Sequence, residues 1–117
     1  MSTDPRKESP QSSKERVIEA LKQIYDPEIP VDIYNLGLIY DIECHKDETS
    51  LLNRCRVTMT LTSATCSMSE VIVDLVRSIP SRIEDGTIEE VEVELVFDPP
   101  WDQSKMSDEA KLQLGLL

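Results

Sequence analysis

The sequence runs to 117 residues, 39% of them apolar and 30% charged, with a formal charge of −11, proportions that fit one globular domain rather than a disordered chain. That acidity opposes a nucleic-acid backbone or an anionic membrane as partner, because both repel the molecule at long range. No run of about 18 apolar residues exists to span a bilayer, and Met1 to Ser13 lacks the charged-then-apolar order of a secretory signal, so a cytoplasmic protein is expected.

The first dozen residues, with Pro5, Pro10 and several Ser and charged side chains, bury too little apolar surface to offset ordering entropy. This predicts a disordered tail over 1–12 and a single domain over 13–117. Ser12 and Glu15 have capping-box spacing, and Val17, Ile18, Leu21, Ile24 and Tyr25 then share one face, predicting a first helix over Ser13 to Tyr25. Pro27 drives its predecessor out of the α region and Pro30 follows, so the helix stops in an extended acidic loop, Asp26-Pro27-Glu28-Ile29-Pro30.

From Leu38 the period changes to two: Leu38, Tyr40, Ile42 and Cys44 share one face, with Asp41, Glu43 and His45 on the other. After the polar stretch Lys46 to Asn53, a second strand sets Cys55, Val57, Met59 and Leu61 against Arg54, Arg56, Thr58, Thr60 and Thr62. The loop Ser63 to Cys66 enters a second capping box, Ser67 and Glu70, followed by the apolar stripe Met68, Val71, Ile72, Leu75, Val76 and Ile79, ended by Pro80. Val91, Val93, Leu95 and Phe97 alternate with Glu90, Glu92 and Glu94 in a third strand that closes at Asp98-Pro99-Pro100. A short last helix starts near Ser107 and ends at Gly115, with Leu112 as its best candidate for burial.

The order α-β-β-α-β-α predicts a two-layer α/β (α+β) domain: a small three-stranded mixed sheet with helices on one face and a polar opposite face. The link from strand two to strand three is long enough for a crossover that makes those two strands parallel.

Three cysteines, Cys44, Cys55 and Cys66, with no C-x-x-C pair, suggest reduced thiols rather than a disulfide framework or a zinc ribbon. Cys66 lies one position before the predicted cap of helix two, where unpaired amides and the helix dipole favour a thiolate, which is both nucleophile and metal ligand. A small half-buried residue in a turn fits that position equally well. Cys44 and Cys55 read as small apolar core residues that the hairpin could set side by side. Asp26 and Glu28 are carboxylates held by prolines, suited to a hard metal or a basic partner, although their spacing favours a helix stop and a solvated turn.

His45, at a polar strand end with no spaced second ligand, reads as a surface residue. Residues Glu84 to Asp98 contain seven acidic side chains and no basic one. Glu90, Glu92 and Glu94 are expected on an outward, solvated or dimer-facing surface, where Arg54 and Arg56 can pair with them. Trp101 is expected to anchor the C-terminal segment over the core. No Gly-rich phosphate loop, G-x-S-x-G or H-E-x-x-H occurs.

Taken together, Asp26 to Val31, Ile33-Tyr-Asn-Leu-Gly-Leu-Ile-Tyr40, Thr58-Met-Thr-Leu-Thr62 leading to Cys66, Phe97-Asp-Pro-Pro-Trp101 and Leu114-Gly115 resemble the metal–sulfur cluster assembly domain family. The resemblance spans Val17 to Gly115, and the Pro-Pro-Trp ending looks more like the prokaryotic SufT-type branch than the eukaryotic one. It implies a non-enzymatic factor that receives or delivers a labile iron–sulfur cluster or iron through Cys66, with Asp26 and Glu28 as secondary candidate ligands. It also implies assembly scaffolds and recipient apoproteins as partners. Where relatives often carry Gly-Cys-Pro, this chain has Thr65-Cys66-Ser67. A cluster usually takes four thiolates, so one Cys66 per chain needs a homodimer or a partner's ligands, which suits transient transfer. A pure adaptor and a thiol enzyme using His45 as base are the alternatives.

Overall fold

In the computed structural model, which describes residues 9–26, 29–62, 69–83 and 88–116, helix α1 spans Pro10–Leu21. It starts three residues before the expected Ser13 because Ser9, rather than Ser12, is the cap: the Ser9 hydroxyl accepts the Ser12 N–H at 3.1 Å, and Pro10 occupies the first turn, where a missing N–H costs nothing. Residues 10–12, expected in the tail, are therefore helical. Ser13 turns inward instead, wholly buried, and its hydroxyl accepts the Asn53 side-chain amide at 2.6 Å. The helix also ends earlier than Tyr25. Ile24 accepts the Ile33 N–H at 2.8 Å and Tyr25 forms a β-bridge with Asp32, so this stretch serves a local pairing that helical hydrogen bonding would preclude.

Strands β1 (Ile39–Lys46) and β2 (Asn53–Met59) form an antiparallel hairpin, and β3 (Ile88–Leu95) runs parallel to β2, which is central in the order β1-β2-β3. This is the expected two-layer arrangement with a mixed sheet. Strand β1 starts at Ile39 and its register shifts between Ile39 and Asp41, which breaks the alternation expected of Leu38, Tyr40, Ile42 and Cys44. The period-two pattern holds along β2, where Cys55, Val57 and Met59 face the helices and are at most 3% exposed. Arg54 and Arg56 point the other way, toward Glu90 at 3.2 Å and Glu92 at 3.6 Å. Phe97, assigned to the third strand, lies beyond its end and is exposed, as is Leu95.

Helix α2 spans Ser69–Arg77, and Pro80 does not terminate the helical region. It occupies the first turn of a second short helix, α3 (Ile79–Arg82), the position that tolerates proline. Ile72, Val76 and Ile79 are buried, whereas Val71 is 46% exposed and falls out of the expected stripe, which is narrower than the sequence suggested. Ser67 and Met68 lie outside the described residues. After β3 come a 3-10 turn (Gln103–Lys105) and helix α4 (Asp108–Gln113), capped as expected by Ser107, whose hydroxyl accepts the Ala110 N–H. Ala110, not Leu112, is its buried residue: Leu112 is 67% exposed, because a six-residue helix presents only one narrow contact line.

The core sits between the sheet and the helices. Leu21, Ile33, Leu36, Leu38, Met59 and Ile79 are wholly buried, each contributing about 2 kcal/mol by removal from water. No helix among the described residues is long and apolar enough to cross a membrane.

Candidate functional site

Residues 63–68, which include Cys66, connect Thr62 beyond the end of β2 to Ser69, the first residue of α2. Cys66 and Glu28 lie outside the described residues. The framework beside this link is held by a chain of backbone hydrogen bonds. Thr60 N–H donates to Leu38 O at 2.9 Å, Leu38 N–H to Ile33 O at 3.2 Å, and Ile33 N–H to Ile24 O at 2.8 Å. Through these bonds the end of β2 and the turn after Ile24 belong to one shoulder of the sheet.

Asp26 sits on that shoulder and is only 7% exposed. Its Oδ1 accepts the Ile29 N–H at 3.0 Å, and its own N–H donates to Val31 O at 3.2 Å. Asp26 is therefore tied back to Ile29 and Val31 where an extended run was expected, because a buried carboxylate next to unpaired amides gains most by accepting them. Asp32 makes a comparable closure: its two oxygens accept the Asn35 backbone N–H and side-chain amide, both at 2.9 Å.

The turn 33–40 is gripped by the C-terminal segment. Trp101 Nε1 donates to Leu36 O at 2.7 Å, Tyr40 donates its hydroxyl hydrogen to Pro99 O at 2.7 Å, and Ser107 N–H donates to Asn35 O at 2.8 Å. Lys105 Nζ stands 5.2 Å from the Tyr40 ring centroid, a cation–π distance. Trp101 is thus the anchor its sequence context suggested. Gly37 has φ +87°, and a Cβ there would lie 2.1 Å from the Lys105 carbonyl oxygen, so glycine is required on both counts. The sequence marked Gly37 only as part of a motif, since the segment that demands it is remote in the chain. Much of that motif, including Ile33, Leu36, Gly37, Leu38 and Tyr40, holds the shoulder and clasp together with Trp101 of the later Pro-Pro-Trp motif.

The cysteines divide differently from expectation. Cys44 and Cys55, expected as reduced thiols, form a disulfide. They are direct partners in the β1–β2 register with Cα atoms 4.0 Å apart, close enough for the two side chains on the same face to meet. The neighbourhood read from the hairpin was therefore right, and the redox state was not. His45 is an exposed residue opposite Arg54, near the start of β2. That is five residues from Met59, roughly 17 Å along the strand, so it stands at the opposite end of the sheet from where the Cys66 link departs.

On the polar face Arg54 meets Glu89 and Glu90, both at 3.2 Å, and Asp47 at 3.6 Å, and these carboxylates raise its pKa, Glu90 most. Asp47 closes the hairpin loop by accepting the Ser50 and Thr49 N–H groups, which hold its pKa below the ordinary carboxylate value. Among the described residues no group of three or more His, Cys, Asp or Glu side chains converges as a metal site.

The family model described as iron–sulfur cluster assembly protein matches residues 14–96 of the chain. The chain is 41% identical over 103 residues to the Fe-S protein maturation auxiliary factor YitW of Bacillus subtilis, covering 88% of this chain and 94% of that protein. It is 39% identical over 93 residues to the Fe-S protein maturation auxiliary factor SufT of Staphylococcus aureus, covering 80% and 98%. A crystal structure of a domain of unknown function from Bacillus anthracis superposes with a TM-score of 0.77 at 36% identity, covering 92% of this chain and 96% of that one.

Proposed function

The chain belongs to the iron–sulfur cluster assembly protein family, and from that premise we propose that it is an accessory maturation factor of the cytoplasm. In this reading it is not an enzyme, and it receives and hands on a labile iron–sulfur cluster or iron through Cys66. The observation that carries the assignment to Cys66 is the pairing of Cys44 with Cys55: of the three cysteines, it leaves Cys66 as the one outside that bond. Cys66 also falls inside the matched segment, on the link that enters α2.

The cluster is cargo in this account. Soft thiolate sulfur is its preferred donor, and a single thiolate per chain leaves the remaining positions to others. Two copies of the chain bring two thiolates, and an assembly scaffold or a recipient apoprotein completes the set. Asp26 and Glu28 are the carboxylates proposed to assist, once Asp26 exchanges its turn hydrogen bond for the metal. Weak, shared ligation of this kind favours exchange over storage. A thiol-enzyme reading is disfavoured by the position of His45, the only histidine, at the far end of β1.

Anaerobic incubation with ferrous iron and sulfide tests the proposal. The native chain is expected to develop the visible absorption of a cluster and Cys66→Ser to lose most of it. Equal iron uptake by the serine variant would overturn the role of Cys66. No uptake by either chain, together with intact binding of a recipient apoprotein, would make the protein an adaptor instead.

A further inference from the structure

With the strand order β1-β2-β3, β3 is an edge strand, and among the described residues no strand lies on its outer side. Which backbone groups it offers follows from one hydrogen bond. Val96 N–H donates to Met59 O at 2.8 Å, so the backbone groups of residue 96 point toward β2. Alternation along the strand then directs Glu94, Glu92 and Glu90 to β2, and leaves the N–H and C=O groups of Val91, Val93 and Leu95 facing outward. The register shift lies at the start of the strand, so the stretch from Glu90 to Leu95 is regular. Ile88–Leu95 carries no proline or lysine and is eight residues long, so past the irregularity at its start the guard on this edge is its glutamate row.

The side chains beside this edge define what can join it. Glu90, Glu92 and Glu94 are exposed on the polar face. Arg54 and Arg56 already engage Glu90 and Glu92, while Glu94 lies opposite Thr58 and has no ion pair among the described residues. On the helix side, Leu95 and Val73 line a cleft of about 300 Å³ whose rim carries Glu70, Asp74 and Arg77. A strand added here would set alternate side chains beside the glutamates and the others over Val73 and Leu95. A second copy of β3 would bring glutamates against glutamates, and β1 would bring Asp41 and Glu43, so like charge opposes self-pairing by either edge.

We propose that the outer edge of β3 is a docking site for an extended segment of a partner protein in which basic and apolar residues alternate, added to the sheet as a fourth strand. The main chain supplies affinity through the groups of Val91, Val93 and Leu95, and the basic side chains supply selectivity through the glutamate row. Strand addition here does not depend on cluster chemistry, so this proposal and the role of Cys66 can each fail without the other.

The test uses the full chain and a peptide of about eight residues, the length of an ordinary strand, alternating lysine and valine. Three controls accompany it: the same peptide N-methylated on the sheet-facing amides, a glutamate–valine peptide, and the protein variant Glu94→Lys. The lysine–valine peptide is expected to slow amide hydrogen exchange at Val91, Val93 and Leu95 by about tenfold or more. It should leave Glu90, Glu92 and Glu94 unchanged and bind several-fold more weakly to Glu94→Lys. Equal binding of the N-methylated or the glutamate–valine peptide would overturn the proposal. So would protection of those three amides that rises with protein concentration in the absence of peptide, because the occupant would then be a second copy.

Discussion

Gly37 carries more of the fold than its size suggests, because its left-handed backbone and the Lys105 carbonyl both exclude a Cβ. Gly37→Ala is expected to lower stability by about 3 kcal/mol, read as a shift of the urea midpoint; a change below about 0.5 kcal/mol, within the ordinary surface range, would contradict the clasp. Asp47 makes a pH-dependent contribution. Its pKa is depressed in the folded chain, mainly by the Ser50 and Thr49 N–H groups, so the stability it adds is present above the unfolded carboxylate value of about 3.9 and is lost as pH falls through the folded one. Urea midpoints measured from pH 7 downward should show native protein losing its advantage over Asp47→Asn only in that acid range. An advantage that persists unchanged through it would contradict the assignment. At this scale the sequence was least informative where a residue answers to a remote segment. Gly37 was visible as a motif glycine, but not the carbonyl that requires it.

The elements were legible to the extent that a period revealed them. Alternation located all three strands because one face of the sheet is buried and the other is charged, so a shift by one residue would invert every side chain. Helix ends were less legible. Ser12 has the capping-box spacing, yet Ser9 is the cap and Ser13 is buried against Asn53, a remote partner that local spacing does not reveal. Pro80 read as a stop because the same residue that ends one helix can open the next. The C-terminal clasp is the element-scale feature most open to test. Trp101→Phe keeps most of the ring but removes the donor to Leu36 O, and should cost about 1 to 2 kcal/mol, seen as a melting temperature lower by several degrees. An unchanged melting temperature would mean that the tryptophan nitrogen is not anchoring the segment.

Over the whole molecule, the charge of −11 is organised: Glu90, Glu92 and Glu94 stand along one edge strand, and two arginines on the central strand neutralise part of that row. The sequence made the layered α+β architecture and the parallel β2–β3 pairing readable from element order alone. The thiol chemistry was readable only in part, since the choice among three cysteines depended on a cross-strand partnership that period-two patterning suggested without establishing. Alkylation of the folded, non-reduced chain followed by mass spectrometry should modify Cys66 alone; modification of Cys44 or Cys55 would remove the argument that singles Cys66 out. The function proposed for Cys66 is to hand on a cluster. The decisive measurement loads the chain anaerobically with iron and sulfide, mixes it with an apo-ferredoxin and follows cluster arrival at the recipient by visible circular dichroism. Native protein is predicted to load the recipient and Cys66→Ser to fall to the level of free iron and sulfide, whereas transfer by the serine variant as fast as by the native chain would contradict it.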